Sequence, residues 1–340
     1  MKKFLLLIAA MLVAVAAIHA QSPTATLSHD GTVKCFYGKE AFVNAVAASA
    51  DGDRITLSSG LFTGTTIDKS ITVKGAGMQP DTINSVEPTV ISSDVIIGVP
   101  NVTVEALYMN SRLTINHVDN VKIVKSTVIS DVKHSSTGET LPIRHYIVGC
   151  RFKSTVRADV DSLDLYIDNS YIGGCLYNRT GGNSNPKANH IEARNSIITV
   201  GGITPTLTNN STFTNCILKM SSTDTKMPSS NNVYYCVGLT DGMFSSVIGS
   251  GIAGNTNSYS DYATMFKTFT GTYDENETFE LTDAAKTTYL GDDGTQVGLY
   301  GGNMPYNPKP HNPIITNFKV GEKSTPAGKL SVDIEVKAAE

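Results

Sequence analysis

Between residues 101 and 238 the chain repeats a short alternation of apolar and polar positions. The segments 120–128, 144–152, 164–172, 190–198 and 210–218 align, with 101–109 fitting before them and 232–238 after. One column of this alignment is apolar throughout (Val104, Ile123, Ile147, Ile167, Ala193, Phe213, Val233) and is flanked by polar residues on both sides except at Val124 and Val148. That is the period-two signature of a half-buried strand. A second column is small: Leu107, Ser126, Cys150, Ser170, Ser196, Cys216 and Cys236, recurring roughly every 20 residues. One such strand cannot bury its own inner face. Stacking successive units in register solves that problem, so the pattern predicts an all-β, single-stranded parallel β-helix. A leucine-rich solenoid would need a dense Leu-x-x-Leu-x-Leu pattern, which is absent.

Just before the small column stand Asn169, Asn195 and Asn215 on successive units. Asparagine tolerates the left-handed bend a solenoid corner needs, and stacked amides are expected to hydrogen-bond along the axis. Cys216 and Cys236 fall on adjacent coils ~4.8 Å apart. Parallel Cα–Cβ directions favour two buried thiols there, while the spacing also permits a disulfide. Residues 40–48 read as a short amphipathic helix capping the first coil, and His145 is expected to point inward as a core histidine.

The chain resembles the pectate-lyase-like right-handed β-helix proteins. The resemblance rests on that capping helix, on Gly52-Asp53-Arg54-Ile55-Thr56-Leu57, on residues 67–77 ending Gly75-Ala76-Gly77, and on residues 279–282 and 290–302 near the other end. It implies a right-handed β-helix over residues 36–302, a secreted bacterial protein, and in many members a polysaccharide cleft over the first sheet. Lyases of that family place calcium-binding carboxylates and an Arg or Lys base near a Trp-x-Asp-His segment, and this chain has no Trp. Glycoside hydrolases of the same fold carry a Gly-His-Gly turn, which is also missing here.

The expected organisation is an export signal at 1–20, a polar lead-in at 21–35, the solenoid at 36–302, a Pro-rich connector at 303–313, and a β-hairpin at 314–340 docking on the last coils. Residues 178–189 lengthen one coil as a loop. Lys2 and Lys3, a short apolar run and Ala20 make the signal, which is too short for a convincing membrane span. No later segment reaches the ~20 apolar residues a bilayer crossing needs, so the mature chain is expected outside the cytoplasmic membrane without a span of its own.

Composition agrees with a folded β protein: 40% hydrophobic, 17% charged and 29 glycines in 340 residues. A net charge of −4 without basic runs argues against nucleic acid as a partner. Five cysteines are too few and too scattered for a disulfide framework or a zinc site.

Mapping the outward positions onto the stack brings Arg144, Tyr146, Asp164, Tyr166, Asp168, His190, Glu192 and Arg194 onto one face of three successive coils. Tyrosines among carboxylates and arginines could hold a sugar, so polysaccharide or cell-surface glycan is the expected partner. The same residues also read as solubilising cross-strand pairs, Arg144 with Asp164 and Asp168 with Arg194. In the resemblance, a cleft over the first sheet would instead use Arg112, Arg157 and Asp159. Asp159, Asp161, Asp164 and Asp168 form the candidate set for calcium or acid–base work; no other cofactor is expected. Three functions follow: a non-catalytic glycan-binding or scaffold protein, a divergent polysaccharide lyase or hydrolase relying on Arg157 and Asp159, and an adhesin with a protein partner.

Overall fold

The computed structural model describes residues 22–80, 87–135, 142–158, 160, 162–177, 189–201, 210–221, 226–247, 252–253, 257–258, 261–308, 314–320 and 331–337. The chain is a parallel β-solenoid. A 12-stranded sheet forms its first face, and a 15-stranded sheet supplies the rest of the wall. Along the first face, parallel strands Arg54–Leu57, Thr72–Lys74, Thr103–Glu105, Val121–Val124, Ile143–Val148, Leu163–Asp168, His190–Arg194, Ser211–Thr214 and Asn232–Tyr234 follow one another. Their inner column runs unbroken from Ile55 through Val73, Val104, Ile123, Ile147, Ile167, Ala193 and Phe213 to Val233. All of these side chains are buried. The smallest, Ala193, adjoins the largest, Phe213, so the column keeps its volume as it crosses coils.

The corner after each strand of this face is the left-handed bend the sequence called for. Ala106, Lys125, Gly149, Asn169, Asn195, Asn215 and Tyr235 all carry positive φ, between 43° and 63°. Most non-glycine residues resist that conformation, and Asn resists it less. The small residue that follows repairs the corner's hydrogen bonding. Ser170 Oγ donates to Asp168 O at 2.7 Å and accepts from Cys150 N at 3.0 Å. Ser196 Oγ does the same with Arg194 O and Ser170 N, at 2.6 and 3.1 Å. The Cys216 and Cys236 thiols donate to Thr214 O and Tyr234 O in the same way, and both are unbridged. Ser and Cys exchange here because each offers one donor and one acceptor at a buried corner.

Beyond the corner the 15-stranded sheet divides into two ladders, one through Thr89–Ile91, Thr127–Val128 and Arg151–Phe152, the other through Val95–Ile97, Val132–His134 and Val156–Arg157. Strand Tyr171–Tyr177 spans both, with a register irregularity between Ile172 and Leu176. Gly174 allows this, since a Cβ there would meet the Ser154 backbone at 2.3 Å.

Two features lay hidden in the sequence. The lead-in folds as an antiparallel hairpin, Thr24–His29 and Thr32–Tyr37, which extends the first face at its amino-terminal end. Its signal was the Asp30-Gly31 turn between alternating residues. Helix Ala41–Ala48 follows, as expected. The second feature is the segment 261–308, which lies across the outer side of the ladder after the bend. Phe266, Phe269, Phe279, Leu281, Val297, Leu299 and Tyr306 bury Tyr171, Ile197, Ile217 and Val237 there. The asparagine column fastens this segment instead of zipping along the axis. Asn169 Nδ2 donates to Leu299 O and Gly301 O at 2.8 and 2.9 Å, while Asn215 exchanges two hydrogen bonds with Asp292 at 2.7 and 3.0 Å. The reason is geometric: at an outward bend the closing segment offers unpaired backbone groups within reach. Asp292-Asp293-Gly294 is a turn. Strands Ile314–Val320 and Val332–Lys337 pair antiparallel as a two-stranded sheet of their own, with Val332 and Ile334 exposed.

Candidate functional site

Among the described residues, the closing segment covers the ladder after the bend and leaves the first face open to solvent over its middle coils. Register there places the expected residues side by side. Arg144 stands opposite Asp164, Tyr146 opposite Tyr166 and Val148 opposite Asp168; one coil on, Asp164, Tyr166 and Asp168 face His190, Glu192 and Arg194. Period-two alternation puts all of them outward, with Arg144, His190 and Arg194 exposed and the others half-buried.

The rings of Tyr146 and Tyr166 stack at 5.3 Å with an interplanar angle of 14°. Lys122 Nζ lies 5.7 Å from the Tyr146 ring centre, continuing the column on the coil before. Each tyrosine therefore gives one ring face to its neighbour and presents its edge and hydroxyl to solvent. The ion pairs differ from the cross-strand set expected. Arg144 reaches back to Asp119, its guanidinium 3.1 Å from Oδ2 and its backbone N–H donating to Oδ1 at 2.7 Å. That guanidinium holds the Asp119 carboxyl below the usual carboxylate range. Arg194 Nε pairs with Glu192 of its own strand at 3.2 Å. Asp119 sits just before strand Val121–Val124, one coil back and outside the period-two register, so alternation gave no sign of it. Asp168 lies at the edge of the closing segment, where burial raises its carboxyl pKa despite the hydrogen bond from the Asn195 side chain. Burial likewise raises Tyr166, helped by the nearby Asp164 carboxylate.

Of the alternative set, Arg112 and Arg157 fall on the third side, Arg157 within its ladder and Arg112 just before the ladder strand Leu113–Ile115. Arg157 projects from the third side of the coil, where its Nε lies 3.5 Å from Asp131 and its guanidinium sits 5.4 Å from the Tyr177 ring centre. Arg112 occupies a turn, its backbone N–H donating to Asp94. Asp159 and Asp161 lie outside the described residues. Among those described, no group of three or more His, Cys, Asp or Glu is placed to hold a metal ion. No described helix is long and apolar enough to cross a membrane.

Alternation did not reveal two other clusters. An Arg-x-Lys triplet, Arg151-Phe152-Lys153, lies under the closing segment. Arg151 is fully buried, donates to the Asp274 carbonyl, and sits 5.2 and 4.9 Å from the ring centres of Tyr273 and Phe279. Inside the solenoid, His134 and His145 stack at 4.9 Å. His145 points inward as expected and donates from Nε2 to Val118 O at 2.7 Å, but its Nδ1 has no partner among the described residues.

Among the described residues, the molecule is thus a β-solenoid with one long polar face open and one covered by its own chain. Comparisons with protein-family models, curated proteins and solved structures found no match.

Proposed function

We propose that this is an exported, non-catalytic glycan-binding or scaffold protein that engages a neutral polysaccharide along the first face. The supporting observation is the paired tyrosine ladder of Tyr146 and Tyr166, set among Asp164, Glu192 and His190 on consecutive coils. Its chemistry points to neutral sugars. Arg144 and Arg194 are committed to Asp119 and Glu192, which leaves Lys122 beside the Tyr146 ring as one cation against the carboxylates of Asp164 and Glu192, a balance that disfavours a uronate polymer. Sugar hydroxyls, which both donate and accept, suit a surface of phenol, carboxylate and imidazole groups. With the ring faces turned to each other, the sugar would lie across ring edges and phenol oxygens. Binding is then weak per site and gains strength from repetition along the polymer. The export read from residues 1–20 belongs to the same proposal.

The test is retention of the protein on immobilised neutral and acidic polysaccharides, with product analysis of the polymer afterwards. The expected result is saturable retention on a neutral polymer, no new reducing or unsaturated ends, and loss of retention in the Tyr146→Ala, Tyr166→Ala double variant. Retention unchanged in that variant, or absent on every neutral polymer, overturns the reading.

A further inference from the structure

The amino-terminal hairpin ends the first face with an open edge. Strand Thr32–Tyr37 pairs with Thr24–His29 on one side and with nothing else among the described residues. Its six residues pair without a bulge, and Val33 and Tyr37 are 65% and 70% exposed. Long, flat, apolar edges template pairing with another strand, and proteins usually blunt them with charge, proline or a bulge. Here the one charge, Lys34, folds back over the Phe36 ring at 5.0 Å.

Which backbone groups face outward follows from the turn. Asp30 and Gly31 both have positive φ, 44° and 77°, making a two-residue loop that closes on the His29–Thr32 pair. Gly38 N donates to Pro23 O at 2.8 Å in the same phase. Even-numbered residues of the strand therefore bond inward to Thr24–His29, and the N–H and C=O groups of Val33, Cys35 and Tyr37 point to the open edge.

We infer that this edge pairs with the same edge of a second copy, antiparallel and two-fold symmetric about Cys35. In that register Val33 lies opposite the partner's Tyr37, Lys34 opposite the partner's Phe36, and Cys35 opposite the partner's Cys35. Every pair is apolar against aromatic, cation against aromatic, or thiol against thiol, and no like charges meet. A two-fold contact must complement itself, and this strand does so about one residue. The central pair of such a ladder has its Cα atoms ~5.5 Å apart, inside the range a disulfide spans. Cys35 is the one exposed cysteine of the five. Given oxidised glutathione, one Cys35 thiolate attacks the reagent and releases a reduced glutathione. The second Cys35 thiolate then attacks the mixed disulfide, forming the Cys35–Cys35 bond and releasing another. The two thiol protons pass through solvent to the two leaving glutathione thiolates, and the two electrons go to the reagent.

The experiment follows the reduced full chain by light scattering and amide hydrogen exchange over a concentration series. One added strand buries less than the ~1,200 Å² of a standard interface, so the series should reach the order of hundreds of micromolar. Expected are a shift from monomer to dimer mass, and slowing of exchange at Val33, Cys35 and Tyr37 that tracks it while Lys34 and Phe36 exchange slowly throughout. Oxidised glutathione should trap a covalent dimer. Cys35→Ser should keep the reversible dimer and lose the trap; Cys35→Lys, which sets two ammonium groups face to face, should lose both with an unchanged circular dichroism spectrum. A chain monomeric at every concentration overturns the inference. So does a dimer surviving Cys35→Lys, or protection at 33, 35 and 37 that is independent of concentration, which would mean another part of the chain covers the edge. Capture of an unrelated extended peptide without self-association overturns it as well.

Discussion

Acidification should unfold this solenoid at a pH where its ion pairs are still intact, because two histidines are sealed inside it. His134 and His145 are each 1% exposed and share a stack 4.9 Å apart. Each neutral ring has a single N–H, and that N–H is used: His134 Nδ1 donates to Arg157 O at 2.8 Å and His145 Nε2 to Val118 O. The opposite nitrogens, His134 Nε2 and His145 Nδ1, have no partner among the described residues, so a second proton on either would be an unsolvated charge beside another imidazole. Burial accordingly pushes His134 down to about 3, with the neighbouring His145 adding to the shift, and pushes His145 down to about 4. In the unfolded chain both titrate near 6.5. Between pH 6.5 and 4.5 the unfolded state comes to carry up to two protons that the folded state refuses, so stability falls as pH falls. At about 1.4 kcal/mol per unit per group, the loss over two units is about 5 kcal/mol, comparable to the whole stability of many domains. The carboxylates held low by their partners, Asp53, Asp94 and Asp119, lose their contribution only below about pH 4. His29, raised by its hydrogen bond to Asp53, contributes fully throughout this window and loses its contribution above it. Asp168, raised by burial, acts in the opposite direction near the bottom of the window. Urea unfolding at pH 7, 5.5 and 4.5 should show midpoints that fall steeply in the wild type and much less in His134→Gln, His145→Gln. A wild-type midpoint flat between pH 6.5 and 4.5, or an equal slope in the double variant, refutes the reasoning.

Two further predictions concern the closing segment and the thiols. Arg151→Ala removes a buried donor to Asp274 and two ring contacts, which should cost about 3–5 kcal/mol and make residues 261–308 the first site of limited proteolysis; unchanged cleavage kinetics would contradict this. In the reduced native protein, one thiol of five should react quickly with a disulfide reagent, since four are buried and burial pushes Cys150 up to about 12, whereas the unfolded chain should yield all five. Fast reaction of Cys150, Cys216 or Cys236 in the native state, mapped by mass spectrometry, would be incompatible with the corner column.

The corner column shows how much of this molecule is written locally. At six successive corners the residue is small, donates back to its own strand and can accept from the coil before, which Ser and Cys both do, so Ser126, Cys150, Ser170, Ser196, Cys216 and Cys236 announce the stack and its register, while Leu107 fills the first corner of the column with an apolar side chain. With register came the outward face, because side chains alternate and coils repeat; Tyr146 had to meet Tyr166 once Cys150 lay beneath Ser170. Alternation carries no information about turns or about what crosses a face from far along the chain. It therefore could not show that Arg144 turns to Asp119, that Asn169 and Asn215 hold residues 292–301 rather than each other, or that Arg151 lies under Phe279. Those contacts join positions up to 132 residues apart. The sequence by itself determined the coil, its period and which side chains point out. Only the tertiary structure decided which outward face is covered and which is open, because that depends on where a distant segment finds apolar surface and unpaired backbone to satisfy.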